Sequence, residues 1–104
     1  MGFIDICGAS GASYRFRPWP TSGLHPPIAG NFALVDPKDR KVIAVGILED
    51  LSQAASVTWH RAKTCELYTR LNIARRAREA EHADMARQNP GAAAGVTGAT
   101  EPTA

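Results

Sequence analysis

The chain has 104 residues, 44% of them hydrophobic and 21% charged, with a net charge of +2 and two cysteines. That length holds one domain, and a charge this small does not by itself argue for nucleic acid. No apolar run approaches the ~18 residues of a membrane helix.

The start, MGFIDICGAS, lacks a basic n-region and does not read as a signal peptide. Met1-Gly2 is not read as a myristoylation start, because Ile6 stands at the serine or threonine position. The expectation is a cytoplasmic domain with no membrane contact. Residues 1–13 form a lead-in, in which Phe3 to Cys7 alternates and reads as a short strand or an irregular segment. Tyr14-Arg15-Phe16-Arg17 sets aromatics on one side and arginines on the other, a half-buried strand. Pro18 to Pro27 holds four prolines with Trp19 and His25 among them, and reads as a loop. Cys7 and Cys65 are far apart without metal-type spacing. A disulfide is open to them, but two reduced, partly buried thiols is the reading preferred here.

The strongest pattern is Gly30 to Leu48, GNFALVDPKDRKVIAVGIL. Asn31–Val35 and Val42–Leu48 are β-rich, and the polar link from Asp36 to Lys41 carries turn chemistry, so the stretch predicts a hairpin. The second run is apolar on both faces and is expected to be a central strand rather than an edge, with Gly46 marking a bulge or a close backbone approach. Asp50 caps a helix, with Gln53 in capping-box position. Leu51, Ala55, Trp59 and Ala62 form its stripe, and the β-branched Val57 and Thr58 shorten or break it. Cys65 to Asn72 alternates and predicts a further strand. Ile73 to Gln88 is a helix ended by Asn89-Pro90-Gly91. Gly91 to Ala104 is poor in large apolar residues and reads as a tail. The expected fold is α+β: residues 14–90 form a small three-stranded antiparallel sheet with an N-terminal extra strand, flanked by helices.

Gly30-Asn31-Phe32 followed by Ala44-Val45-Gly46 resembles a worn GIY-YIG endonuclease domain. Leu48-Glu49-Asp50-Leu51 resembles the entry to that family's first helix, and Glu81, nine residues before Pro90, matches the spacing of its metal-binding glutamate. The resemblance covers Ile28 to Pro90 and implies two motif strands in a three-stranded antiparallel sheet. It also implies an arginine on the first helix and Mg²⁺ or Mn²⁺ at the glutamate. The departures are chemical. Phe32 and Ala44 stand where the motif tyrosines belong, and no arginine lies between Leu48 and His60. Only Glu81 and His60 remain of the usual set. Loss of one electrostatic stabiliser typically costs ~10²–10³ in rate, so the resemblance implies a catalytically degenerate domain that binds nucleic acid or a protein, with no cofactor. The alternatives are a divergent metal-dependent endonuclease that uses Glu81, and a protein-interaction subunit with no nucleic-acid role.

Each candidate also has a plainer reading. Glu81 is a metal ligand or a boundary carboxylate paired with Arg78 or another arginine. His60 is a base, a phosphate contact or a surface histidine. His25, His82 and Asp84 show no ligand spacing that stands out. Arg61, Lys63, Arg70, Arg75 and Arg78 could form a phosphate-contacting face, together with Arg76 and Arg87. Glu66, Glu79, Glu81 and Asp84 interleave with them, and an ion-paired, solvated helix is the preferred reading. Trp19 and Trp59 are read as core or loop anchors.

Overall fold

The computed structural model describes residues 2–58 and 64–92. Five strands form one antiparallel sheet: β1 (Ile4–Cys7), β2 (Ser13–Pro18), β3 (Gly30–Val35), β4 (Val42–Leu48) and β5 (Glu66–Leu71). Their spatial order is β1-β2-β5-β3-β4. A 3₁₀ turn, Leu51–Gln53, runs into the one-turn helix α1 (Ala54–Val57), and α2 spans Arg75–Gln88. The chain is thus α+β, but the sheet is wider than the three strands plus one expected. Both β1 and β2 join it, through their own hairpin and the pairing of β2 with β5. Among the described residues, no helix is long and apolar enough to cross a membrane. The described chain ends at Ala92, which is itself buried; residues 93–104 of the expected tail lie outside it.

The predicted hairpin forms, with Gly30 opposite Leu48 and Leu34 opposite Ala44. Its turn is held by the residues that signalled it. The Asp36 carboxylate accepts from the Lys38 amide at 2.8 Å, and the Asp39 carboxylate accepts from the Lys41 amide at 2.9 Å. Two details differ from expectation. The register shifts at Ile43, between the Leu34–Ala44 and Val35–Val42 pairs, while Gly46 sits in regular register opposite Phe32. And β4 is an edge strand, whereas β3 is flanked on both sides. The apolar run had a different cause: layers lie above and below β4, not strands on both flanks. Burial of both faces, not the number of strand neighbours, is what makes a strand continuously apolar.

Alternation along β3 divides the interior into two cores. Ala33 and Val35 face α2 and pack with Ile6, Phe16, Val45, Tyr68, Met85 and Ala92. Phe32 and Leu34 face the other way and pack with Ala44, Leu51, Ala54 and Leu67, with Trp19 against them. The Asp50 carboxylate caps the 3₁₀ turn by accepting from the Ser52 amide at 2.9 Å. The described part of the predicted first helix is short, as the β-branched residues led one to expect. Trp59, His60, Arg61, Ala62 and Lys63 lie outside the described residues.

Candidate functional site

The motif positions and the glutamate lie on opposite faces of the sheet. Phe32 is fully buried and Ala44 nearly so, both in the core beneath Leu51 and Ala54. Asn31, next along β3, points to the α2 side. Its amide donates to the Arg78 carbonyl at 3.1 Å, and its side-chain oxygen accepts from Asn72 at 3.0 Å. Glu81 belongs to this second face. Its Oε1 accepts from Arg70 Nε at 2.8 Å and from the Asn72 amide at 2.9 Å. Arg70 in turn donates to the Arg15 carbonyl at 3.3 Å, so this carboxylate ties α2 to β5 and β2. Of the four positions the resemblance singles out, Phe32 and Ala44 are brought together and Glu81 is kept apart from them; His60 lies outside the described residues.

A motif tyrosine at position 32 would therefore place its hydroxyl among apolar groups. Phe32→Tyr is expected to lower stability by about 1–3 kcal/mol, the cost of burying a hydroxyl without a partner. A rise in the denaturation midpoint would show instead that this core accommodates a hydroxyl.

Among the described residues, no three His, Cys, Asp or Glu side chains come together as a metal cluster. Glu81 is surrounded by donors, Arg70 and Asn72, rather than by further carboxylates, so the residues at hand make a poor cradle for a divalent cation. His82, beside it, has its Nδ1 buried without a hydrogen-bond partner among the described residues, and burial pushes its pKa below the ordinary histidine value. Burial therefore favours the neutral form of this imidazole. Cys7 and Cys65 are both free, Cys65 half-buried but Cys7 exposed, contrary to the expectation of two partly buried thiols.

The arginines of the last third are largely engaged within the fold. Arg70 pairs with Glu81 and Arg75 with Glu79 at 3.0 Å. Arg78 is buried, and its guanidinium donates to the Ile73 carbonyl at 2.8 Å. Arg61 and Lys63 lie outside the described residues.

Two other groups stand out. Asp84 on α2 is buried and accepts from the Ser10 amide at 2.9 Å, the Ser10 hydroxyl at 2.6 Å and the Tyr14 hydroxyl at 2.7 Å. The Ser10 hydroxyl first, then the Tyr14 hydroxyl, hold its carboxyl down to about 2. The reciprocal effect raises the Tyr14 phenol above its ordinary value. On the opposite sheet face, a cleft of ≈ 430 Å³ opens between the proline-rich loop and the strands, lined among others by Arg15, Arg17, His25, Thr69 and Leu71. The alternation of Tyr14 to Arg17 had already put the two arginines on one side. That the loop would close over them had no sequence signal beyond its prolines. No family model, no curated protein and no solved structure matches this chain.

Proposed function

We propose that this chain is a GIY-YIG-like domain that has lost nuclease chemistry and serves as a nucleic-acid-binding module. The observation that carries the loss of chemistry is the separation of the groups the resemblance singles out, and with Glu81 apart from Phe32 and Ala44 the likeness that remains is one of topology. Phe32 and Ala44 are sealed in one core, while Glu81 is bonded to Arg70 and Asn72 on the other side of the sheet. Phosphodiester hydrolysis needs a nucleophile-activating group, a charge stabiliser and the metal ligand converging on one phosphate. Here Glu81 supports the fold instead. What supports the family part of the reading is that the strands carrying Gly30-Asn31-Phe32 and Ala44-Val45-Gly46 are adjacent and antiparallel.

The test is a cleavage assay on plasmid and single-stranded DNA with Mg²⁺ or Mn²⁺, using wild type and Glu81→Gln. Neither protein is expected to cut above background. Glu81→Gln is expected to lose about 1–2 kcal/mol of stability, because it uncouples a largely buried ion pair while keeping much of the shape. Metal-dependent cutting by wild type, abolished in the variant, overturns the proposal in favour of a divergent endonuclease. Binding that does not weaken with salt counts against phosphate contacts and favours a protein partner.

A further inference from the structure

The geometry points to the cleft beneath the proline-rich loop as the binding site, and to a flat ring bearing a phosphate, as a single-stranded nucleic acid presents, as its ligand. This inference rests on the nucleic-acid reading above and gives it a location.

The cleft is built from both ends of the sequence. Arg17 on β2 stands opposite Thr69 on β5, and alternation brings Arg15 and Leu71 to the same face. Over them runs the loop, with Pro18, Pro20 and Pro26 at the wall. The loop is fastened to β5 at two places, Trp19 and His25, and braced within itself by a turn. The Trp19 amide donates to the Leu67 carbonyl at 2.9 Å, and the Gly23 amide donates to the Pro20 carbonyl at 2.9 Å. His25 stacks on Trp19, with ring centroids 5.0 Å apart. Its Nδ1 lies 2.8 Å from the Pro26 carbonyl, which can only accept, so Nδ1 carries the proton. In the neutral ring, Nε2 then accepts from the Thr69 hydroxyl at 2.7 Å. Prolines with fixed φ and a pinned histidine make a wall whose shape is set before any ligand arrives, which lowers the entropic cost of binding.

The chemistry of this wall is mixed in a particular way. Prolines and the half-exposed Leu71 offer flat apolar surface. Of the three arginines at the cleft, Arg15 and Arg17 sit along β2, while Arg70 on β5 is paired with Glu81. Arg15 lies over the Phe3 ring, its guanidinium carbon 3.6 Å from the centroid, and is shared with Asp5 at 3.1 Å. Arg17 has no ion-pair partner among the described residues. A volume of ≈ 430 Å³ falls in the range of small-ligand clefts, too small for a duplex but fitting for one splayed nucleotide. Single strands are held without sequence readout by aromatic stacking platforms beside a cationic groove, and here the His25 ring backed by Trp19 is the aromatic platform at the wall.

The experiment measures anisotropy of a labelled oligodeoxythymidine of about 12 nucleotides, a duplex of equal length, and thermal shift with thymidine monophosphate. The proteins are wild type, Arg17→Ala, Leu71→Glu and, as a control outside the cleft, Arg76→Ala. All three substituted positions are exposed, and melting temperatures near wild type establish that each variant is folded. Arg17→Ala and Leu71→Glu are each expected to weaken single-strand binding about tenfold, and Arg17→Ala to lower the salt slope by about 0.7. Arg76→Ala should change affinity less than about twofold. Single-strand binding that is unchanged in both cleft variants overturns the cleft and leaves the nucleic-acid reading standing. So does preferential binding of the duplex. If neither polymer binds wild type, the nucleic-acid reading falls. In that case, monophosphate binding lost in Arg17→Ala retains the cleft as a site for a free nucleotide, and no monophosphate binding removes it too.

Discussion

Gly30→Ala is expected to destabilise the protein by about 3 kcal/mol or more, measured as a shift in the denaturant midpoint at unchanged m-value. A β-carbon at this position would run into the backbone carbonyl oxygen of Arg70. It would also lie 2.6 Å from the Leu51 Cδ1 and 3.0 Å from the Asn72 amide nitrogen. Leu51 could shift, but the Arg70 carbonyl belongs to β5 and the Asn72 amide donates to the Ala29 carbonyl at 2.9 Å. Two backbone segments therefore have to part, and overpacking that backbone cannot relieve costs more than the usual 1–3 kcal/mol. The first glycine of the motif is thus required by close approach of β3, β5 and the 3₁₀ turn, whatever chemistry the domain performs. An unshifted midpoint for Gly30→Ala would show that β3 and β5 do not approach as described.

Why some of this was legible in the sequence, and some was not, follows from how local each signal is. The hairpin could be read because Asp36, Pro37 and Asp39 hydrogen-bond or bend their own neighbourhood, and the structure returns the Asp36 and Asp39 contacts. α2 could be read because Asn89-Pro90-Gly91 stops it, and it ends at Gln88. The expectation for β4 failed because hydrophobicity reports coverage of faces, and an edge strand under two layers carries the same pattern as a central one. The fifth strand was left open because β1 is only four residues long, too short for its alternation to separate a strand from an irregular lead-in, although it pairs with β2 from Ile4–Phe16 to Cys7–Ser13. Such a pairing leaves no mark in composition. The same holds for the site. Glu81 was picked out by its distance from Pro90, yet its partner is Arg70 on a strand, beyond the reach of helical spacing rules. Asp84 was passed over for lack of ligand spacing, although its partners Ser10 and Tyr14 lie more than seventy positions away in one case and seventy in the other.

Asp84 carries the second large expectation, because it fastens the β1–β2 hairpin to α2 from a buried position. Its carboxyl is held at about 2 in the folded protein, against about 3.9 for an unperturbed aspartate. A depressed folded value means that the ionised form is the one the fold favours. The stabilisation is therefore present above about pH 4 and is lost as pH falls through about 2. Asp84→Ala should lower the melting temperature clearly at pH 6, and the gap between wild type and variant should close as the pH is taken from 5 towards 2. A gap that stays constant over that range would show that the charge of Asp84 is not what holds the hairpin. Gly8 supplies an independent check from the other side of the contact, since a β-carbon there would collide with the Asp84 carboxylate. Gly8→Ala should cost about 1–3 kcal/mol in the wild-type background. In the Asp84→Ala background, the collision has no partner and most of that cost should vanish. A double-mutant cycle reads this as strong non-additivity, whereas additive effects would place the two residues in separate environments. The hairpin also positions Arg15 and Arg17. Loosening it through Asp84 should therefore weaken single-strand binding at the cleft without removing any residue that lines it.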